Sequence, residues 1–178
     1  MNKILTLAIT AAAVLTNTFA ADVRSAIESP DAKKILKKDY LGPAKKYTMP
    51  AGCISNDPDA IARGKFIFHN LNGGAAEGHF PKGLAKKLPN GEVKQYGNCV
   101  ACHNIEDAQG GGNIGPDLTN YKAYFMDTNT RDNAWVYQKI ADPRIDNENT
   151  HMTINLTTGL FTETEICEMT SYIVSEKK

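Results

Sequence analysis

The chain has 178 residues, 20 Lys+Arg against 20 Asp+Glu, four cysteines and four histidines. A net charge of zero removes nucleic acid as an obvious partner. The length suits one domain, with sequence to spare for appended segments.

The N-terminus opens with a single lysine, Lys3, continues with an apolar run from Ile4 to Leu15 and reaches Thr18-Phe19-Ala20. This is the pattern of a signal peptide cleaved after Ala20. The run is too short, and too soon interrupted by polar residues, to span a bilayer. Cleavage removes one lysine and leaves the mature chain near −1 from 19 Lys+Arg and 20 Asp+Glu. No other segment reads as transmembrane. The expectation is a periplasmic protein with no membrane span after cleavage.

Residues 21–55 read as an N-terminal extension whose lysine pairs, Lys33/Lys34, Lys37/Lys38 and Lys45/Lys46, are separated by sparse apolar residues. A short helix is expected over 31–38, ended by Gly42-Pro43. A solvated arm and an arm lying on a partner fit this composition equally. The main domain, 56–178, begins at Asn56-Asp57-Pro58, where an Asx cap and a first-turn proline start a helix running to about Phe68. Gly64 in its middle implies close approach by another helix, because an internal glycine otherwise only weakens it.

From 69 to 97 the periodicity dissolves into Gly73-Gly74, Pro81-Lys82-Gly83 and Pro89-Asn90-Gly91. This reads as a long loop insertion with one short turn over 84–88, and His69 and His79 read as solvated loop histidines. Long loops in compact domains are functional or disordered. Lys82, Lys86, Lys87 and Lys94 would give a functional one a basic docking face.

Next comes Cys99-Val100-Ala101-Cys102-His103, the C-x-x-C-H attachment signature of a c-type haem. On one helical turn the two thiols and the imidazole project from one face. Both thiols can then form thioethers with the vinyl groups of one haem c while the imidazole ligates iron. A redox C-x-x-C would sit in a βαβ context, which is lacking here. A zinc site would need further ligands at knuckle spacing, whereas Cys53 and Cys167 are distant singletons.

Glycines 110–112 and Gly115-Pro116-Asp117-Leu118 follow, a backbone able to pass close to a flat cofactor. A second helix is expected over 132–141 with Trp135, Val136 and Ile140 inward, stopped by Asp142-Pro143. Residues 153–157 read as a brief extended piece. The last helix starts at the capping box Thr162-x-x-Glu165, flanked by Phe161 and Ile166, and its apolar stripe is Ile166, Met169, Tyr172 and Ile173. Several short helices and almost no strand alternation give an all-α fold.

For a second axial ligand Met152, in the loop between the last two helices, is best placed. His151 beside it would give a bis-histidine site instead, and Met126 is a weaker competitor. Met169 reads as core packing. Cys53 and Cys167 either pair as a disulfide or stay as two buried thiols.

Over about residues 56–175 the arrangement resembles the class I cytochromes c, in which a glycine and an aromatic on the first helix cross an aromatic on the last. Here these would be Gly64 and Phe68 against Met169 and Tyr172. The resemblance also implies that the Pro116 carbonyl accepts the Nδ1 proton of His103. The motif 97–103, the Gly112–Leu118 segment, Trp135–Pro143 leading to His151-Met152, and the closing 156–173 together resemble, in order and spacing, the SoxX family of monohaem sulfur-oxidation cytochromes. Thr153, where that family usually has proline, and the length of the 69–97 loop depart from it.

What this resemblance implies is an electron-transfer haem subunit of an L-cysteine S-thiosulfotransferase complex that joins thiosulfate to a carrier cysteine. Its implied partners are a SoxA-like monohaem or dihaem cytochrome, a SoxYZ-like carrier protein through the complex, and a soluble cytochrome that accepts the electrons. The sequence holds no Ser-His-Asp set, carboxylate pair or second C-x-x-C-H, so no residue is expected to be catalytic alone. The alternative is a free-standing periplasmic electron shuttle in respiration.

Overall fold

The computed structural model describes residues 41–76 and 78–177. The expected signal peptide and the helix expected over 31–38 fall outside them. The described part is helical, with α1 (Pro58–His69), α2 (Asn133–Ala141) and α3 (Glu163–Val174) joined by loops and short tight turns. Its nearest approach to a sheet is one antiparallel bridge between Lys87 and Val93. The all-α expectation holds.

Helix α1 starts where its chemistry predicts: the Asp57 side chain accepts from Asp59 N, and Pro58 occupies the first turn. Helix α3 closes the full capping box between Thr162 and Glu165. The two helices cross at Gly64, where a Cβ would overlap the Glu168 carbonyl. Beyond the crossing the Phe68 and Tyr172 rings lie 5.9 Å apart, and Met169 is 1% exposed. Both ends of the predicted glycine–aromatic arrangement are present. Cys53 and Cys167 form a disulfide, with Cα atoms 4.9 Å apart, tying the segment before α1 to α3. The question the cysteines left open is answered by that approach of helices.

Helix α2 begins one residue later than expected, with Asp132 as its cap, accepting from Trp135 N at 2.7 Å. Val136, Tyr137 and Ile140 are buried. Trp135 is only half-buried, its ring flanked by Arg131 at 4.4 Å and Lys139 at 5.2 Å. Tyr137, the largest fully buried side chain on this helix, is not on the expected face. Beyond α2, residues 155–159 turn rather than extend, because Leu160 N and Phe161 N both reach back to the Asn155 carbonyl.

Buried Asp142 fastens the end of the N-terminal extension to this region. Its carboxylate accepts from Lys45 N, from Thr157 Oγ1 and from the Arg144 guanidinium, which also donates to the Gly42 carbonyl. Burial pushes the Asp142 pKa up, but these donors outweigh it and hold the carboxyl well below the usual range.

The 69–97 insertion is more built than the sequence suggests. Residue 69 closes α1, a short turn covers Gly73–Ala75, and the bend expected over 84–88 lies earlier, with Leu84 N on the Pro81 carbonyl. Gly73 and Gly74 pack so closely on the Lys94 and Lys86 carbonyls that side chains would collide. Phe66 meets Phe80 at 4.9 Å and Tyr96 at 5.9 Å, both edge-on. Arg63 pairs with Glu168 at 2.6 Å, and Lys94 pairs with Glu165. Lys94 is therefore an internal fastener and cannot belong to a basic docking face; Lys82, Lys86 and Lys87 are exposed.

Candidate functional site

The C-x-x-C-H residues fold as one tight turn, Cys99–Ala101, extended by bonds from Cys102 N and His103 N to the Cys99 carbonyl at 3.1 and 2.9 Å. Both thiols are free and half-buried. Burial, and then the neighbouring Cys102, push the Cys99 thiol up to about 12.

The following segment wraps this turn. Gly112 N donates to the Val100 carbonyl and Gly115 N to the Cys102 carbonyl, both at 2.8 Å. Gly112 lies so near the Ala101 carbonyl, and Gly115 so near the His103 ring, that neither site has room for a Cβ. This close passage brings the Pro116 carbonyl to 2.8 Å from His103 Nδ1. A carbonyl only accepts, so Nδ1 carries the proton and Nε2 presents its lone pair. Phe68 of α1 approaches the same imidazole, ring centroids 6.5 Å apart. Two unpaired thiols and an imidazole with a fixed tautomer, on one turn, suit the attachment and ligation of haem c.

The family comparison bears on the C-terminal part of the chain. Residues 90–177 match the family model for cytochrome c. This segment is a cytochrome c domain. The match spans just under half of the chain, and α1 precedes it. No curated protein matches the sequence. A cytochrome c domain implies covalently bound haem c and electron transfer.

Among the candidate second ligands, Met152 is half-buried against the core, its amide donating to Thr150 Oγ1 at 3.1 Å, whereas His151 is exposed. Met126 also borders the core, from a π-helical turn over Lys122–Met126 that no sequence pattern announced. No group of three or more His, Cys, Asp or Glu able to hold a metal ion occurs among the described residues.

His69 requires a correction. It is half-buried at the end of α1, with Nε2 3.0 Å from the Tyr172 hydroxyl. The glycine-rich sequence after it suggested a solvated loop, but α1 includes it and its crossing with α3 brings Tyr172 over the ring. His79 is exposed, as expected.

Proposed function

We propose that the protein is a monohaem electron carrier of the periplasm, exported by a signal peptide cleaved after Ala20. Cys99 and Cys102 form the two thioethers, His103 is one axial ligand and Met152 the other. The observation that carries this reading is the tautomer-fixing bond from His103 Nδ1 to Pro116 O on the C-x-x-C-H turn. The bound haem supplies a one-electron couple. The chain's part is to hold Nε2 toward the iron, to keep the ring from rotating through Pro116 and Phe68, and to set the potential through its axial pair.

The partner reading goes further and rests on the resemblance to the SoxX family. The carrier serves a SoxA-like cytochrome subunit of a thiosulfate-coupling complex, with a SoxYZ-like protein receiving the sulfur group and a soluble cytochrome receiving the electrons. The ordered insertion suits docking: Lys82, Lys86 and Lys87 are exposed beside Leu88 and Val93, which are 40% and 43% exposed. Neutralising these three lysines is expected to slow association with a purified SoxA-like partner at low salt, by an effect that shrinks as salt is added. Failure to copurify with any such subunit favours the free-standing shuttle.

The haem reading is tested by the Cys99→Ala/Cys102→Ala double variant, expected to show no haem stain on a denaturing gel. Met152→Ala is expected to abolish the near-infrared sulfur-to-iron band of the oxidised protein and to lower the potential. A wild-type protein lacking that band moves the second ligand to His151.

A further inference from the structure

A second histidine stands close to the haem-binding turn. Phe68 neighbours both imidazoles, 6.5 Å from the His103 ring and 5.6 Å from the His69 ring, so their centroids are at most about 12 Å apart. His69 also lines a polar cleft of about 540 Å³ with Asn70, Asn72 and Asn98, which gives water a route to its ring. On its far side the ring meets Tyr172 of α3 edge-on, centroids 5.7 Å apart.

The hydrogen bonds assign the basic nitrogen. The Tyr172 hydroxyl donates to the Glu106 carbonyl at 3.4 Å, so His69 Nε2–H donates to the hydroxyl oxygen at 3.0 Å. Nδ1 is then the nitrogen that accepts a proton. The charged groups around it are few. Lys65, one turn earlier on α1, pairs with Asp107 at 2.6 Å, and Glu106 and Lys177 lie beyond the Tyr172 ring. Burial first and Lys65 second hold the His69 pKa below its ordinary value, against a smaller opposing pull from Asp107.

We propose that His69 is a redox-linked proton site, taking up one proton at Nδ1 when the bound haem is reduced and releasing it on oxidation. The inference rests on the haem reading above. Reduction brings one electron from a one-electron donor and one proton from cleft water, and oxidation returns both. The coupling is electrostatic. The iron would lie beyond the His103 ring, so its charge would act over roughly 10–15 Å, and through an effective dielectric near 20 it moves a pKa by about one unit. The carrier therefore moves protons with electrons on the acid side of neutrality, and its potential depends on pH there.

The experiment uses the full haem-loaded chain, with covalent haem confirmed first by staining a denaturing gel. Proton NMR follows the His69 ring from pH 4 to 8 in the oxidised and reduced states, and voltammetry follows the potential over the same range. The expected result is a His69 pKa about one unit lower in the oxidised protein. The potential then carries a matching pH-dependent change, about tenfold in the redox equilibrium or roughly 59 mV for one electron. His69→Gln removes that contribution, whereas His79→Gln at the exposed loop histidine retains it. Equal His69 pKa values in the two states overturn the proposal, as does an unchanged potential profile in a folded His69→Gln variant. If that variant does not fold, the wild-type NMR pair decides alone. A chain that carries no covalent haem overturns this proposal and the reading beneath it together.

Discussion

At the α1–α3 crossing, nine of the twelve residues of α3 are buried, and a disulfide and two ion pairs fasten α3 to its neighbours. In the wrap from Cys99 to Leu118 only Ile105 is buried, while Ile114 is 74% exposed. Backbone hydrogen bonds hold the wrap, among them Gly112 N to Val100 O, Gly115 N to Cys102 O and Leu118 N to Asn104 O, each 2.8 Å. One region is ordered by burial and the other by backbone geometry. Damage to the first should therefore be read as lost stability, and damage to the second as a changed site.

The largest stability effect expected is removal of the disulfide. Cys53 and Cys167 are separated by 114 positions, so the cross-link restricts a long loop of the unfolded chain and contributes about 4–5 kcal/mol. Cys53→Ser/Cys167→Ser should lower the denaturation midpoint accordingly, and equal midpoints for the variant and the oxidised wild type would remove the cross-link from the scaffold's supports.

Asp142 comes next. Its depressed pKa means that its contribution is fully present above the unfolded carboxyl value of about 3.9 and is lost as pH falls through the lower folded value. Asp142→Asn should destabilise by about 3 kcal/mol at pH 7, since Arg144 and the Lys45 amide of the arm lose a buried anion. The gap between variant and wild type should narrow progressively below about pH 4. A constant gap across pH would mean that packing, rather than charge, fastens the arm.

Gly64→Ala follows, with a loss of about 2 kcal/mol. The added methyl group meets backbone, the Glu168 carbonyl, so relief requires α1 and α3 to separate. Thermal unfolding at fixed pH measures it, and a neutral result would show that the crossing can slide.

The scaffold was largely legible in the sequence because its signals are local and covalent in origin. An Asx-Pro start, a capping box, an internal glycine and an apolar stripe each dictate backbone or burial without reference to distant residues. The C-x-x-C-H turn was legible for the same reason. What the sequence concealed depends on long-range approach. Lys94 looks like any loop lysine until Glu165 is brought to it, and His69 looks solvated until Tyr172 arrives over its ring. Tyr137 was hidden by Trp135, whose ring is flanked by cations instead of entering the core. The π-helical turn at Lys122–Met126 has no composition of its own.

The smallest expected loss of stability, and the sharpest test of the comparison, is Gly115→Ala. Its added Cβ would overlap the His103 imidazole, not backbone, and that ring is only half-buried. In the unloaded chain the ring can swing aside at the expense of its bond to Pro116 O, a loss of about 1 kcal/mol or less. In the haem-loaded chain the proposed ligand cannot swing without tilting its bond to iron, so the axial-ligand spectrum and the potential should shift while the unfolding midpoint scarcely moves. Gly64→Ala should do the reverse, lowering the midpoint and leaving the spectrum unchanged. If both substitutions shift spectrum and stability in proportion, burial and backbone geometry are not separable supports, and the wrap and the crossing unfold as one cooperative unit.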